Sequence, residues 1–490
     1  MNRKTLVDSA SQSDRTACDD PPLIVDMDGA LLRTDTTFEA LAQGIFTRPT
    51  ATLFALTALF SGRAAFKRRI AEIAPIDIDV LPLRTEFVDH LAAERRRGRK
   101  LHLVSGSDDA VVQKVAKRVG LFDSAQGSTE KRNLKGVAKA LLLDERFGAY
   151  SYAGDSPADL KVWSRAQGVV LAGASPSTAR RARRLGVPIE AEFSDPPVSW
   201  RTWAASLRLH QWSKNVLLFV PLLLSGHFRD LQTLLACALG FLLLGLTASG
   251  SYILNDLSDL SADRRHRSKR NRPFAAGAIK VYQGLLLAPS LIAASLIGAY
   301  VLSPTFAGVL LIYLVCTLTY SLRLKAIPFV DVMMLAWLYT LRLLMGVTLA
   351  HTIASEWLLT FSMMFFFSMS LAKRYVEISA TDPDQKQIAR RGYQPSDAPL
   401  TMAFGVSCTV ASLLIMTLYL MDEAFPSGVY RQPSALWFVL PVIGLWTMRI
   451  WLLADRGELD EDPVSFAVHD RISLALGGAL AAAFGYAVFG

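Results

Sequence analysis

Residues 255–277 read NDLSDLSADRRHRSKRNRPFAAG, an acid cluster followed at once by a basic run, and both lie at the end of a long apolar segment. If the start of the stretch is helical, successive residues turn by about 100°, so Asn255, Asp256, Asp259 and Asp263 share one arc of about 100°. Carboxylates crowded at a membrane edge repel one another and are costly to desolvate, so such a face suits a hard cation. Mg²⁺ fits best, because it accepts carboxylate and phosphate oxygens together. The following Arg264, Arg265, Arg267, Lys269, Arg270 and Arg272 suit a polyphosphate. Either half alone has a plainer reading, as a solvated helix end or as the basic flank of a membrane helix. The two in this order point to chemistry.

The rest of the chain supports a membrane protein with a soluble extension. Of 490 residues, 51% are hydrophobic, yet the first two hundred are ordinary in charge and the long apolar runs come afterwards. Pro196 and Pro197 mark a linker at 194–207. Beyond it, nine spans are predicted, near 216–226, 232–254, 283–302, 305–322, 328–350, 355–372, 399–421, 434–454 and 470–489. Lys and Arg crowd the loops after the second, fourth and sixth spans, which makes those loops cytoplasmic. The N-terminal domain is then cytoplasmic too, at a bacterial inner membrane. Residues 1–20 are polar, read as a disordered leader and not as a signal peptide. The net charge of +9 belongs mostly to the loops and calls for no nucleic-acid partner. The four cysteines form neither a disulfide framework nor a zinc spacing.

The quoted stretch resembles the aspartate-rich motif of the UbiA superfamily of intramembrane prenyltransferases, NDxxDxxxD followed by a basic run ending in RP. RLHQWSKNVLLFVPLLLSG at 208–226 is similar to that family's entry segment, and YSLRLKAIPFVDV at 320–332 to its second conserved region. The resemblance covers 208–490 and implies an all-α polytopic domain with Mg²⁺ on Asn255, Asp256, Asp259 and Asp263, and Asp256 and Asp259 essential to catalysis. Ordinary members carry a second acidic motif, commonly DxxxD. Here Asp331 is followed by Val332-Met333-Met334-Leu335, and the second acid is missing. The sequence instead resembles the branch that moves a phosphoribosyl group from phosphoribosyl pyrophosphate (PRPP) onto a polyprenyl phosphate, such as the decaprenyl-phosphate phosphoribosyltransferases of actinobacteria. QWSKN at 211–215, YSLRLK at 320–325, LAKRYVEI at 371–378 and RRGY at 390–393 carry that likeness. It implies that Lys214, Lys325, Lys373, Arg374, Arg390 and Arg391 serve the phosphates of PRPP together with Arg264, Lys269 and Arg272. Glu377 would orient a lysine or contact the ribose, and Asp331 is a further substrate-binding candidate.

The soluble part, residues 21–193, has its own constellation. Apolar strands at 23–25, 101–104 and 150–153 run into Asp26-Met27-Asp28-Gly29, Ser105-Gly106-Ser107 and Gly154-Asp155-Ser156-Pro157-Ala158-Asp159. Strands that each deliver polar groups at their C-terminal ends describe an open parallel, Rossmann-like α/β sheet. The set resembles the haloacid dehalogenase (HAD) phosphatases. By that resemblance Asp26 is the nucleophile and Asp28 the general acid and base. Ser105 and Lys135 bind the phosphoryl group, and Mg²⁺ is held by Asp26, the Asp28 carbonyl and Asp155, with Asp159 orienting that shell. Residues 36–80 leave room for a small, mostly helical cap.

The fusion implies consecutive steps: transfer, then removal of the 5-phosphate, giving a polyprenyl phosphoryl ribose of the kind that feeds cell-envelope glycan assembly. Two other readings stay open, a polyprenyl diphosphate–aromatic acceptor prenyltransferase with an unrelated phosphatase, and an ion-binding transporter or scaffold. Oligomerisation is also open.

Overall fold

The computed structural model describes residues 20–129, 132–381, 391–459 and 462–490. They form two compact units. One comprises the described residues up to Trp203 together with Asp256–Leu285, and the other Ala204–Asn255 with the described residues from Leu286 onward. The division therefore cuts across the sequence boundary near residue 200, and the quoted basic stretch belongs to the N-terminal unit.

The first unit is built on a six-stranded sheet in the order β3-β2-β1-β4-β5-β6, where β1 is Leu23–Val25, β2 Leu101–Asp108, β3 Ser124–Ser128, β4 Ser151–Gly154, β5 Gly168–Ala172 and β6 Ile189–Phe193. All pairings are parallel, with Leu23 opposite Leu101 on one side and Ser151 on the other. The central strands LIV and GVVLA are fully buried, as expected of strands covered on both faces. Edge strand β6, IEAEF, alternates half-buried and exposed residues. The three strands expected from the sequence are β1, β2 and β4. The order in which strands are added reverses at β1, so its C-terminal end and those of β2 and β4 open onto one crevice.

The cap is helical, as expected. Its helices are Thr36–Thr47, Pro49–Ala55 and Arg63–Ile73. Asp35 starts the first by accepting from Thr37 N at 2.8 Å and Phe38 N at 3.3 Å. Ala40, Ala55, Phe66 and Ile70 give the cap a small core of its own.

The second unit is helical. Among the described residues, seven helices are long and apolar enough to cross a membrane: Leu231–Ser258, Val281–Leu302, Pro304–Leu322, Val330–Ala350, Pro395–Ala424, Pro433–Asp455 and Arg471–Phe489. Two of the nine expected spans differ. Residues 216–226 are not a continuous helix. They fall in the 3-10 segment Leu209–Phe219 and the five-residue helix Val220–Leu224, which ends before Gly226 at φ +75°. The 355–372 span appears as the 24-residue helix Glu356–Ser379, whose serines and charged ends keep it below membrane-spanning hydropathy. Val330–Ala350 is the most buried of the seven. Its Gly346 lets the entry segment approach closely, since a Cβ there would lie 2.1 Å from Leu218 O.

Candidate active sites

In the first unit the ends of β1 and β4 bring three carboxylates together. Ligand oxygens of Asp26, Asp155 and Asp159 all lie within 4.8 Å of one another. Burial, then Asp159 and Asp26, holds the Asp155 carboxyl well above the usual carboxylate range, and burial and Asp26 raise Asp159. Such crowding is relieved by a cation, and an all-oxygen donor set suits Mg²⁺. Asp159 Oδ2 already accepts from Ser156 N at 2.9 Å, Ser156 Oγ at 2.8 Å and Asp155 N at 3.2 Å. That suits an orienting role, with Asp26 and Asp155 left to hold the metal. Gly29, at φ +81°, is required here, because any Cβ would lie 2.1 Å from Asp155 Oδ2.

Asp28 points to the other side of the crevice, under the cap. Its oxygens accept from Thr36 N at 3.0 Å, Thr36 Oγ1 at 3.2 Å and Ser107 Oγ. Burial, with Asp35 nearby, pushes its pKa up to about 7. A carboxyl still protonated near neutrality can donate a proton. Ser105 is buried inside β2, which runs past the expected strand end at 104, and accepts from Ser107 N at 3.3 Å.

The lysine differs from the expected one. Lys135 is exposed, whereas Lys139, one helical turn further on, is buried with Nζ 3.1 Å from Asp26 Oδ2 and donates to Tyr152 OH at 2.8 Å. The signal was present in VAKALLL, where a lone lysine interrupts an apolar helix face. A second missed residue is Arg84, which donates to Ala30 O and Gly29 O at 3.0 Å each and pairs with Asp195. It fixes the turn that follows Asp26 and Asp28.

The acid motif is broken where one continuous helix was expected. The long helix stops at Ser258, and a short one restarts at Leu260, with Asp259 between them. Asp256 and Asp263 are nevertheless brought together, because Arg272 Nη1 reaches Asp256 Oδ1 at 3.2 Å and Asp263 Oδ2 at 2.7 Å. Arg264 turns away from any polyphosphate. It donates to Glu39 at 3.0 and 2.6 Å and to Ala275 O at 2.9 Å, with both charged side chains only 5% exposed. Glu39 also accepts from Thr34 Oγ1 at 2.6 Å, and Lys280 Nζ donates to Arg33 O at 3.2 Å. The segment after the acid motif is thus tied to the turn after Asp28. Arg265 pairs with Asp77, and Lys269 lies exposed.

In the second unit, Asp331 is fully buried and paired with Arg374 Nη2 at 2.6 Å, while Tyr393 OH donates to its other oxygen at 2.7 Å. Arg374 also pairs with Glu377, and Arg391 lies 3.9 Å from Glu377 and donates to Tyr320 OH at 3.1 Å. The acid without its expected partner is therefore neutralised by a guanidinium. Lys214 pairs with Asp462, and next to it Asn215 Oδ1 accepts from Arg342 Nε at 3.1 Å. Burial raises Asp462, but Lys214 and Lys373 bring it below the usual carboxylate range. Arg342 and Asp462 were missed: Arg342 stands alone in an apolar helix and Asp462 ends an ordinary-looking acidic run, ELDED at 458–462, so each gains meaning only from its distant partner. Asn255 ends the chain's run into the motif, Lys325 lies in the turn Leu324–Ala326, and Arg390 falls outside the described residues.

The chain is similar to known proteins over both halves. A Sinorhizobium fredii protein, y4nM, itself uncharacterized, is 39% identical over 94% of this chain and 90% of its own length. Nodulation protein NoeC of Azorhizobium caulinodans is 32% identical over 59% of this chain and 94% of its own. Decaprenyl-phosphate phosphoribosyltransferase of Mycobacterium tuberculosis is 29% identical over 58% of this chain and 93% of its own. The model of the UbiA prenyltransferase family matches residues 216–488, so the chain belongs to that family, as a multi-pass membrane protein with an α/β extension.

Proposed function

We propose that this protein transfers the 5-phosphoribosyl group of PRPP to a polyprenyl phosphate, releasing pyrophosphate, and that its α/β unit then removes the 5-phosphate. The observation that carries the first half is the Asp331–Arg374 pair: Leu335 replaces the second acid that would serve a prenyl diphosphate, and the remaining acid, Asp331, is taken up by a buried guanidinium and Tyr393. The relatives named as decaprenyl-phosphate phosphoribosyltransferases support the same substrates.

In the transferase, Asp256, Asp259 and Asp263 are the residues that would hold Mg²⁺, whose chemistry is to neutralise the departing pyrophosphate. Arg272 and Lys269 add positive charge there. Lys373, with Lys214 beside the same Asp462, takes the 5-phosphate, and Arg374, Arg391 and Glu377 hold that wall in place. An acceptor phosphate is already ionised, so positioning and charge neutralisation supply most of the catalysis without a strong base.

In the α/β unit a carboxylate oxygen of Asp26 attacks phosphorus, and the bond to the ribose oxygen breaks as Asp28 supplies its proton. Water, deprotonated by Asp28, then hydrolyses the aspartyl phosphate and restores Asp26. Asp26 and Asp155 would hold Mg²⁺, which shields the phosphoryl charge. Lys139 and Ser105 face the same group. The basic loops favour the cytoplasmic side of an inner membrane for this unit.

The test is a paired incubation of purified full-length protein with Mg²⁺. One mixture holds labelled PRPP and polyprenyl phosphate, the other polyprenyl diphosphate and 4-hydroxybenzoate. Label entering lipid only in the first is expected. Product only in the second would replace this reading with an aromatic prenyltransferase.

A further inference from the structure

The cap carries a feature that the hydrolytic chemistry does not use. In Pro49–Ser61, Leu53 is 67% exposed, Phe54 74% and Phe60 96%, with Leu56 and Leu59 also exposed. Five large apolar side chains on one short segment are far more than scattered surface hydrophobics. Around them stand Arg48, Arg63, Arg68 and Arg69, the last two sharing Glu72, while Lys67 turns inward and donates to Gly106 O at 2.7 Å. We propose that this knuckle docks on the surface of an anionic lipid bilayer, with the apolar side chains below the headgroups and the arginines among the phosphates.

Three observations favour the bilayer over another protein surface. The combination of an apolar tip and a ring of basic residues is what an interfacial segment needs. The same chain carries seven helices able to span a membrane, so a bilayer is always close and weak docking is made effective by tethering. A second copy packed through the same patch would set basic residues against basic residues.

Docking deepens the proposed function by naming where the substrate of the α/β unit comes from. On its inner side the cap borders a cavity of about 280 Å³ lined by Thr36, Ala40, Lys67, Ile70, Ser107 and Val111, which reaches the partners of Asp28. A cap resting on the bilayer would let a phosphomonoester with a lipid tail enter this cavity while its tail stays in the membrane. The inference rests on the reading of this unit as a phosphatase only for its purpose. Its test does not.

The test is photo-crosslinking of the full-length protein in phosphatidylglycerol-containing vesicles. Phe60→benzoylphenylalanine and Phe54→benzoylphenylalanine keep an aromatic ring at exposed positions, and Leu141→benzoylphenylalanine, on an exposed helix face of the sheet domain, serves as control. Lipid adducts are expected at 60 and 54, absent at 141, and severalfold fewer when phosphatidylcholine replaces phosphatidylglycerol. Adducts only to a second copy or to another part of the chain would overturn the proposal. So would no adduct, or a lipid adduct indifferent to headgroup charge. Loss of phosphatase activity in a parallel assay with p-nitrophenyl phosphate would bear on the hydrolytic reading alone.

Discussion

The two units treat their carboxylates differently. At the ends of β1 and β4, Asp26, Asp155 and Asp159 crowd together with Lys139 against Asp26, and burial and the neighbouring acids raise the pKa of Asp155 despite Lys280. In the helical unit, Asp331 has Arg374 at 2.6 Å and Tyr393 at 2.7 Å, and Asp462 has Lys214. The undercompensated cluster suits an added metal, and the compensated acids do not need one. The acid motif lies between these extremes, with Asp256 and Asp263 sharing Arg272. Charge balance, more than the number of acids, distinguishes a metal site from a scaffold.

The largest expected effect breaks the comparison at its undercompensated end. Asp26→Asn removes the proposed nucleophile, so phosphate release should fall by about 10⁶-fold, the scale on which loss of a catalytic nucleophile acts. Transfer should continue and the lipid should keep its 5-phosphate, as read by mass spectrometry. Asp256→Ala or Asp259→Ala should do the converse, abolishing transfer while p-nitrophenyl phosphate hydrolysis persists. Near wild-type transfer in both variants would remove the acid motif from catalysis.

At the compensated end the expected effect is on stability. Arg374→Ala leaves Asp331 buried and unpaired, which costs about 3–5 kcal/mol, and thermal unfolding in detergent should shift strongly downwards. Asp331→Asn with Arg374→Met removes both charges and should recover most of the loss. If Arg374→Ala unfolds like wild type, the pair is not what holds that wall. Lys373→Ala should instead leave stability unchanged and raise the apparent KM for PRPP by about 1.5–3 kcal/mol, the range for a hydrogen bond to a charged group.

The smallest effect concerns the tie between the motif segment and the turn after Asp28. A double-mutant cycle with Glu39→Gln and Arg264→Gln should give a coupling of about 0.5–3 kcal/mol in unfolding free energy. Additive changes would mean that the pair contributes nothing beyond its separate parts.

Much of the α/β site was legible because strand ends are fixed by short-range pattern. Apolar runs ending at Asp26, Ser105 and Asp155 needed no knowledge of distant contacts. Lys139 was missed because NLKG draws attention to the exposed lysine, while helical periodicity buries the one four residues later. On helices the role of a charge depends on what faces it. Arg264 reads as a phosphate ligand from its neighbours, yet its partner is Glu39, 225 positions away in sequence. Arg374 likewise reads as a phosphate ligand until Asp331 is found beside it. The segment 216–226 is apolar enough to suggest a span, but Pro221 and Gly226 shorten its helix.

The most direct measurement supplies wild-type full-length protein with ribose-labelled PRPP, polyprenyl phosphate and Mg²⁺, and follows the lipid extract by mass spectrometry over time. A polyprenyl phosphoribose 5-phosphate should appear first and give way to polyprenyl phosphoryl ribose, with inorganic phosphate released after pyrophosphate. Label that never enters the lipid would contradict the transferase assignment, and a 5-phosphorylated lipid that persists through long incubation would contradict the consecutive steps.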